Sequence, residues 1–152
     1  MNFWSGWYSQ KFKGPGLRYE VGLNIATGDI VWINGPFPPG KWPDVNIFEY
    51  SLMHCLEKNE RVETDKGYRG VREYASTPQK FAEDKEKEKV KARIRSRHET
   101  ANKRLKQWGC LKQIFRHDIR QHSAVFRAVA VITQLSFENG SPLYQVSYSK
   151  RE

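Results

Sequence analysis

Leu17, Tyr19, Val21, Leu23 and Ile25 are apolar at every second position, Thr27-Gly28-Asp29 then turns the chain, and Ile30-Val31-Trp32-Ile33 resumes it. A period of two puts those side chains on one face of an extended strand, and a helix would scatter them. The segment is therefore read as a β-hairpin, the element around which everything else must pack.

The stretch after the hairpin cannot continue it easily. Gly35-Pro36-Phe37-Pro38-Pro39-Gly40 holds three prolines, which lack a backbone donor and fix φ, so a loop is expected. Asp44 then stands before Val45 to Leu56, where apolar positions 45, 48, 52 and 56 follow helical spacing and Asp44 is placed to cap the helix. A short strand is expected around Arg61-Val62-Glu63-Thr64, leading to Asp65, with Gly67 and Gly70 bracketing a tight turn and residues 74–79 in a loop. From Lys80 the mixed-sign run through Asp84-Lys85-Glu86-Lys87-Glu88-Lys89 reads as a solvated helix. It continues to about Trp108 along an apolar stripe of Ile94, Ala101, Leu105, Trp108 and Leu111. A last helix, from about Asp118 to Glu138, is apolar nearly all round and is expected to be buried. Asn139-Gly140-Ser141-Pro142 stops it, and residues 143–148 form a short edge strand or a tail. Neither an internal repeat nor a linker-like stretch divides the chain, so one domain over 1–152 is expected.

Charge narrows the partners. Twenty-six Lys and Arg against 17 Asp and Glu leave a net charge of +9, which favours a polyanion, nucleic acid first. An anionic membrane is disfavoured, because no isolated basic amphipathic helix dominates and no run of 18 apolar residues exists. The N-terminal residues lack the charged and apolar regions of a signal peptide, so a non-secreted, soluble protein is expected. Cys55 and Cys110 give no disulfide framework and read as buried small hydrophobes. His117 and His122 are loosely spaced for zinc, but no C-x-x-C accompanies them. Trp32 and Trp108 fall in core-patterned elements, so the tryptophans do not by themselves indicate base stacking.

Two acids sit in cationic contexts. Asp65 lies in Glu63-Thr64-Asp65-Lys66-Gly67-Tyr68-Arg69-Gly70, and Glu99 in Arg97-His98-Glu99-Thr100-Ala101-Asn102-Lys103-Arg104-Leu105-Lys106. Carboxylates beside phosphate-binding cations suit metal-assisted phosphodiester chemistry. Simpler roles exist for both: a turn-forming residue at Asp65, and a surface ion-pair acid at Glu99, which lies opposite the apolar stripe of its helix and so faces solvent.

The motif order from Trp7-Tyr8-Ser9 through Gly35-Pro36-Phe37-Pro38, Trp42-Pro43-Asp44, Asp65-Lys66-Gly67-Tyr68, Arg97-His98-Glu99 and Phe115-Arg116-His117 resembles the DDE superfamily endonucleases, specifically the Harbinger-like transposase catalytic domain, over residues 7–148. The resemblance implies an α/β, ribonuclease-H-like core lacking its first strand. It implies Asp65 and Glu99 as the second and third catalytic acids, binding Mg²⁺ or Mn²⁺. The cations around the two acids, Lys66, Arg69, Arg97, Lys103, Arg104 and Lys106, are the candidate contacts to DNA phosphate, with an ordinary solvated helix as the simpler role of those on the helix. The family's first acid falls upstream of Trp7, where Asn2 to Gly6 hold none, so little or no cleavage by these 152 residues alone is expected. A non-catalytic DNA-binding remnant is the alternative. DNA, with a homo-oligomer or a separate DNA-binding partner, is the implied company, in the nucleus if the host is a eukaryote.

Overall fold

In the computed structural model, which describes residues 5–11, 13–68, 70–80 and 84–147, the chain forms two compact units of mixed helix and strand. One combines Met1–Val21 with Ile33–Thr77, the other Gly22–Trp32 with Pro78–Glu152. Both are discontinuous in sequence, the hairpin contributing to each, which is why no linker-like composition marks the division.

The first unit holds β1 (Tyr8–Ser9) and β2 (Gly14–Pro15), antiparallel with Tyr8 opposite Pro15 and Ser9 opposite Gly14. It also holds the outer ends of the hairpin strands, β3 (Arg18–Leu23) and β4 (Ile30–Phe37). The expected hairpin is present, but β4 runs on through Gly35 and Pro36 where a loop was expected, across a cis peptide bond. A two-stranded sheet has only edge strands, the setting in which a strand tolerates proline. Gly35 itself is required: at φ +131° a Cβ there would lie 2.8 Å from the Arg18 carbonyl oxygen and from the Tyr19 ring.

Helix α1 (Asp44–Tyr50) is shorter than its apolar spacing predicts. Ser51 breaks it, because its hydroxyl donates at 2.7 Å to the Ile47 carbonyl one turn back and lies 3.0 Å from Glu20 Oε2. Such back-bonding competes with the helical ladder, and Leu52–Cys55 continue as a 3₁₀ turn. Asp44 does not cap the helix. Pro43 holds that position, and the Asp44 carboxylate instead pairs with Arg18 at 3.2 Å while sitting in the favourable first turn. The core collects Phe48, Val71 and Ala75, with Val62, Leu52 and Tyr68 against them. The predicted strand near Val62 is β5 (Val62–Glu63), and it pairs in parallel with β6 (Ala75–Ser76), inside the stretch expected to be loop. Two residues are too few to display a period.

In the second unit α2 (Lys85–Leu105) begins later than the charge pattern suggests, because Asp84 caps it by accepting from the Lys87 N–H at 2.9 Å. Ile94, Arg97, Ala101 and Leu105 form its buried stripe. Trp108 lies beyond the helix end, is 40 % exposed, and donates its indole N–H to Thr133 Oγ1 at 3.2 Å. A short α3 (Gly109–Lys112) follows, then a 3₁₀ turn and α4 (His122–Glu138). Only one face of α4 is buried, through Phe126, Val129, Ala130, Thr133 and Phe137. The expectation of a wholly buried helix fails because nothing among the described residues covers the opposite face. Residues 141–147 form no strand. They are a docked tail with Leu143 and Val146 buried, held by Tyr144 Oη donating to the Arg93 carbonyl at 2.8 Å and Arg104 donating to the Ser141 carbonyl at 2.6 Å.

Both cysteines, expected inside, are exposed. Among the described residues no helix is long and apolar enough to cross a membrane.

The hairpin tip is fastened by side chains. Asn24 Oδ1 accepts from the Ala26 and Thr27 N–H groups, and Gly28 at φ +85° closes the turn. Arg97, 1 % exposed, donates to the Asn24 carbonyl at 3.3 Å and to that of Ile25. From α4, Gln134 accepts the Ile30 N–H at 2.9 Å and donates to Asp29 Oδ1 at 2.7 Å.

Arg97→Ala is expected to destabilise the second unit by about 3 kcal/mol, since it empties a buried site and strips two carbonyls of a charged donor. Urea unfolding measures this, and a loss below about 0.5 kcal/mol, the size of an ordinary surface substitution, counts against the role. His122 supplies a pH test. Burial lowers the pKa of its imidazole from the usual 6.5. The unfolded chain therefore binds that proton at higher pH than the folded one, and stability falls as pH drops through the unfolded value. His122→Phe, which keeps an aromatic ring beside Phe115, is expected to flatten the slope of stability between about pH 7 and pH 5.5. An unchanged slope rules that contribution out.

Candidate functional site

Glu99 projects from the middle of α2 on the side opposite Ile94, Ala101 and Leu105 and is exposed, as periodicity predicts. Lys103, one turn on, and Lys106, just past the helix end, are exposed in the same sector, with Asn102 half-buried beside them. Arg95 lies one turn back, its guanidinium paired with Glu88 at 2.9 Å. The helix carries nine Lys and Arg residues against three Glu. Glu99 is therefore a carboxylate set in a cationic, solvent-facing strip.

Two of the expected phosphate contacts do not belong to that strip. Arg97 is a correction: it occupies the buried stripe, three residues from Ile94 and four from Ala101, and its guanidinium is taken up by backbone carbonyls of the hairpin tip. Desolvation lowers its pKa, with Tyr144 opposing, yet an arginine stays charged at any working pH. Arg104 is half-buried, bonded to the Ser141 carbonyl and stacked 5.5 Å above the Phe137 ring. Its position holds the tail to the helix. Arg69 lies outside the described residues.

Asp65 belongs to the first unit. It is exposed, and its Oδ1 accepts the Gly67 N–H at 2.7 Å, the bond of an Asx turn that opens the 3₁₀ turn Lys66–Tyr68. Lys66 is exposed beside it. The turn is tight, since a Cβ on Gly67 would come 3.0 Å from that same oxygen. Tyr68 holds its proton more tightly than a free tyrosine: burial raises its pKa first, followed by the negative fields of Asp44, Glu20 and Asp65, with Arg18 opposing. Asp65 is thus one of three carboxylates whose fields reach a half-buried phenol. Reading the sequence did not single out Glu20, Arg18 or Tyr68. Arg18 and Glu20 fill the ordinary polar positions of the alternating strand, which gave no advance signal of a role.

Among the described residues no group of three His, Cys, Asp or Glu side chains is placed to hold a metal ion. One Asp65 oxygen is already engaged by the turn, and no chemical step is derived through a divalent cation. The imidazoles do not form a site either. His122 is buried with its ring 4.8 Å from Phe115, and His98 Nδ1 lies 3.3 Å from Asn102 Nδ2.

Asp65→Ala is expected to cost about 1 kcal/mol through loss of the turn's hydrogen bond, and Asp65→Asn, which retains an acceptor, much less. Equal destabilisation of the two variants in urea unfolding would show that the turn does not depend on that oxygen. Compared with protein-family models, curated proteins and solved structures, the chain matches none.

Proposed function

We propose that the chain acts on DNA, as part of a DDE-type endonuclease domain of the Harbinger-like transposase kind with a ribonuclease-H-like core. The observation that carries the DNA reading is the solvent side of α2, where Glu99 stands among Lys103, Lys106 and other exposed lysines. Lysines in such a strip neutralise backbone phosphates and release the counterions condensed on them, which yields affinity without sequence readout. The net charge of +9 adds a long-range attraction of the same sign.

The catalytic part of the proposal rests on the resemblance. Asp65 and Glu99 are its second and third acids, and Mg²⁺ or Mn²⁺ its cofactor. By the resemblance the cation takes a third carboxylate beside these two, and Asp65 and Glu99 alone are too few to hold it. The chain by itself therefore binds DNA and does not cut it. A specific observation favours a purely binding role as the second reading: Asp65 already has structural employment in its turn. In a eukaryotic host a DNA target places the protein in the nucleus.

The slope of log affinity against log salt decides the DNA reading. Lys103→Ala combined with Lys106→Ala is expected to reduce its magnitude by about 1.8, the value for two phosphate contacts on duplex DNA. An unchanged slope removes α2 from the interface. Nicking of supercoiled DNA in Mg²⁺ or Mn²⁺ is expected to be absent, and Mg²⁺-dependent nicking abolished by Asp65→Ala would overturn the inactivity of the isolated chain.

A further inference from the structure

The outward face of α4 is unusual for a chain in which 28 % of residues are charged. Val131, Ile132 and Leu135 are 60 %, 45 % and 51 % exposed, and Ala124 and Ala128 are exposed with them. Spacings of four, three and four from Ala124 to Leu135 align 124, 128, 131 and 135 in one stripe, with Ile132 on its edge. The two alanines let a second backbone approach closely. At 1.5 Å per residue the stripe from 124 to 135 is about 17 Å long, within a helix of 17 residues.

Charge says what fits there. Arg127 and Glu138 are the only charged residues in α4, and both are exposed. At 100° per residue they fall on the same flank of the apolar stripe, 11 positions apart, close to opposite ends of it. A parallel, two-fold partner helix would carry its Arg127 and Glu138 on the opposite flank, leaving both residues of each copy without an opposite charge to face. An antiparallel one, related by a two-fold axis crossing near Ile132, sets Arg127 of each copy beside Glu138 of the other, and one operation makes both pairs. Glu138 keeps Oε2 for this, since its bond from Gln134 Nε2 uses Oε1.

We propose that α4 is a self-association surface, occupied by α4 of a second copy of this chain in antiparallel, two-fold arrangement. The stripe supplies the buried apolar contact and the Arg127–Glu138 pairs set the direction. Three large aliphatic side chains per copy are a modest core against the roughly 1,000 Å² a lasting interface needs, so the dimer is a reversible one. The charge of +9 on each copy opposes it at low salt, where repulsion is least screened.

Sedimentation equilibrium of the 152-residue chain from about 5 to about 500 µM, in about 0.3 M salt, tests this. The expected result is a monomer–dimer equilibrium within that range. Leu135→Glu, at an exposed site that the fold does not depend on, is expected to weaken it at least about tenfold. Arg127→Glu or Glu138→Arg alone is expected to weaken it several-fold, and the two together to restore it. Far-ultraviolet circular dichroism and urea unfolding check that each variant is folded. A wild-type chain that stays monomeric throughout overturns the proposal and leaves the face to a different protein. A dimer indifferent to Leu135→Glu overturns the surface, and one weakened further by the double charge reversal overturns the antiparallel arrangement.

Discussion

A guanidinium out of reach of water organises the second unit. Moving Arg97 inside costs several kcal/mol, so it persists only where acceptors meet it. It finds them in the carbonyls of Asn24 and Ile25, which belong to a turn and have no strand partner of their own. Both bonds come from Nη2, while Nη1 is buried without a hydrogen-bond partner among the described residues, so the carbonyls offset only part of the cost of burial. Once the tip is fixed to α2, Asp29 and Ile30 are placed to take the Gln134 amide from α4. Ala101, Phe137 and Leu143 then close a small core, with Leu23 and Ile30 from the hairpin against them. Apolar burial supplies the attraction, but the polar contacts decide which parts of the hairpin and helices meet.

The same residue shows what could be read in advance. The hairpin was legible because strict alternation has one reading, and the stripe of α2 because 94, 101 and 105 share a face. Arg97 falls on that face too, at the missing step between 94 and 101. Its residue type argued for the surface and its position for the interior, and position won because the hairpin tip offered carbonyls. Elsewhere the competing interactions were local and invisible to spacing. Ser51 ended a helix whose apolar pattern ran on to Leu56, and Asp44 chose Arg18 over a cap. Composition also has no means of telling how many layers cover a helix, so α4 looked wholly buried when only half of it is.

For the candidate site the balance differs. The exposure of Glu99 and its setting among lysines came from helical periodicity alone. The turn at Asp65 came from its residue type and the glycine two places on. A metal site is legible from neither, because ligation requires carboxylates from separate elements to converge within about 2 to 2.6 Å of one ion, a tertiary property with no local signature. The surroundings of Asp65 illustrate this. Glu20, Asp44 and Tyr68 come from three different segments, and only folding sets them close enough to shift the phenol.

Within the second unit α2 and α4 pack through their buried faces, which leaves two outward faces of opposite chemistry, one rich in lysine and one nearly free of charge. The division matters for how the two proposed surfaces combine. Pairing through α4 leaves the lysine side of α2 uncovered in both copies, because that side lies on the far face of the other helix. A dimer of this kind carries its two cationic strips on opposite outer faces, each open to its own stretch of DNA. Salt acts on the two surfaces in opposite senses. It weakens phosphate contacts steeply and relieves the repulsion between copies that each carry +9. On the two proposals together, a bound polyanion would cancel the charge that holds the copies apart, so that binding to DNA and pairing through α4 would reinforce each other.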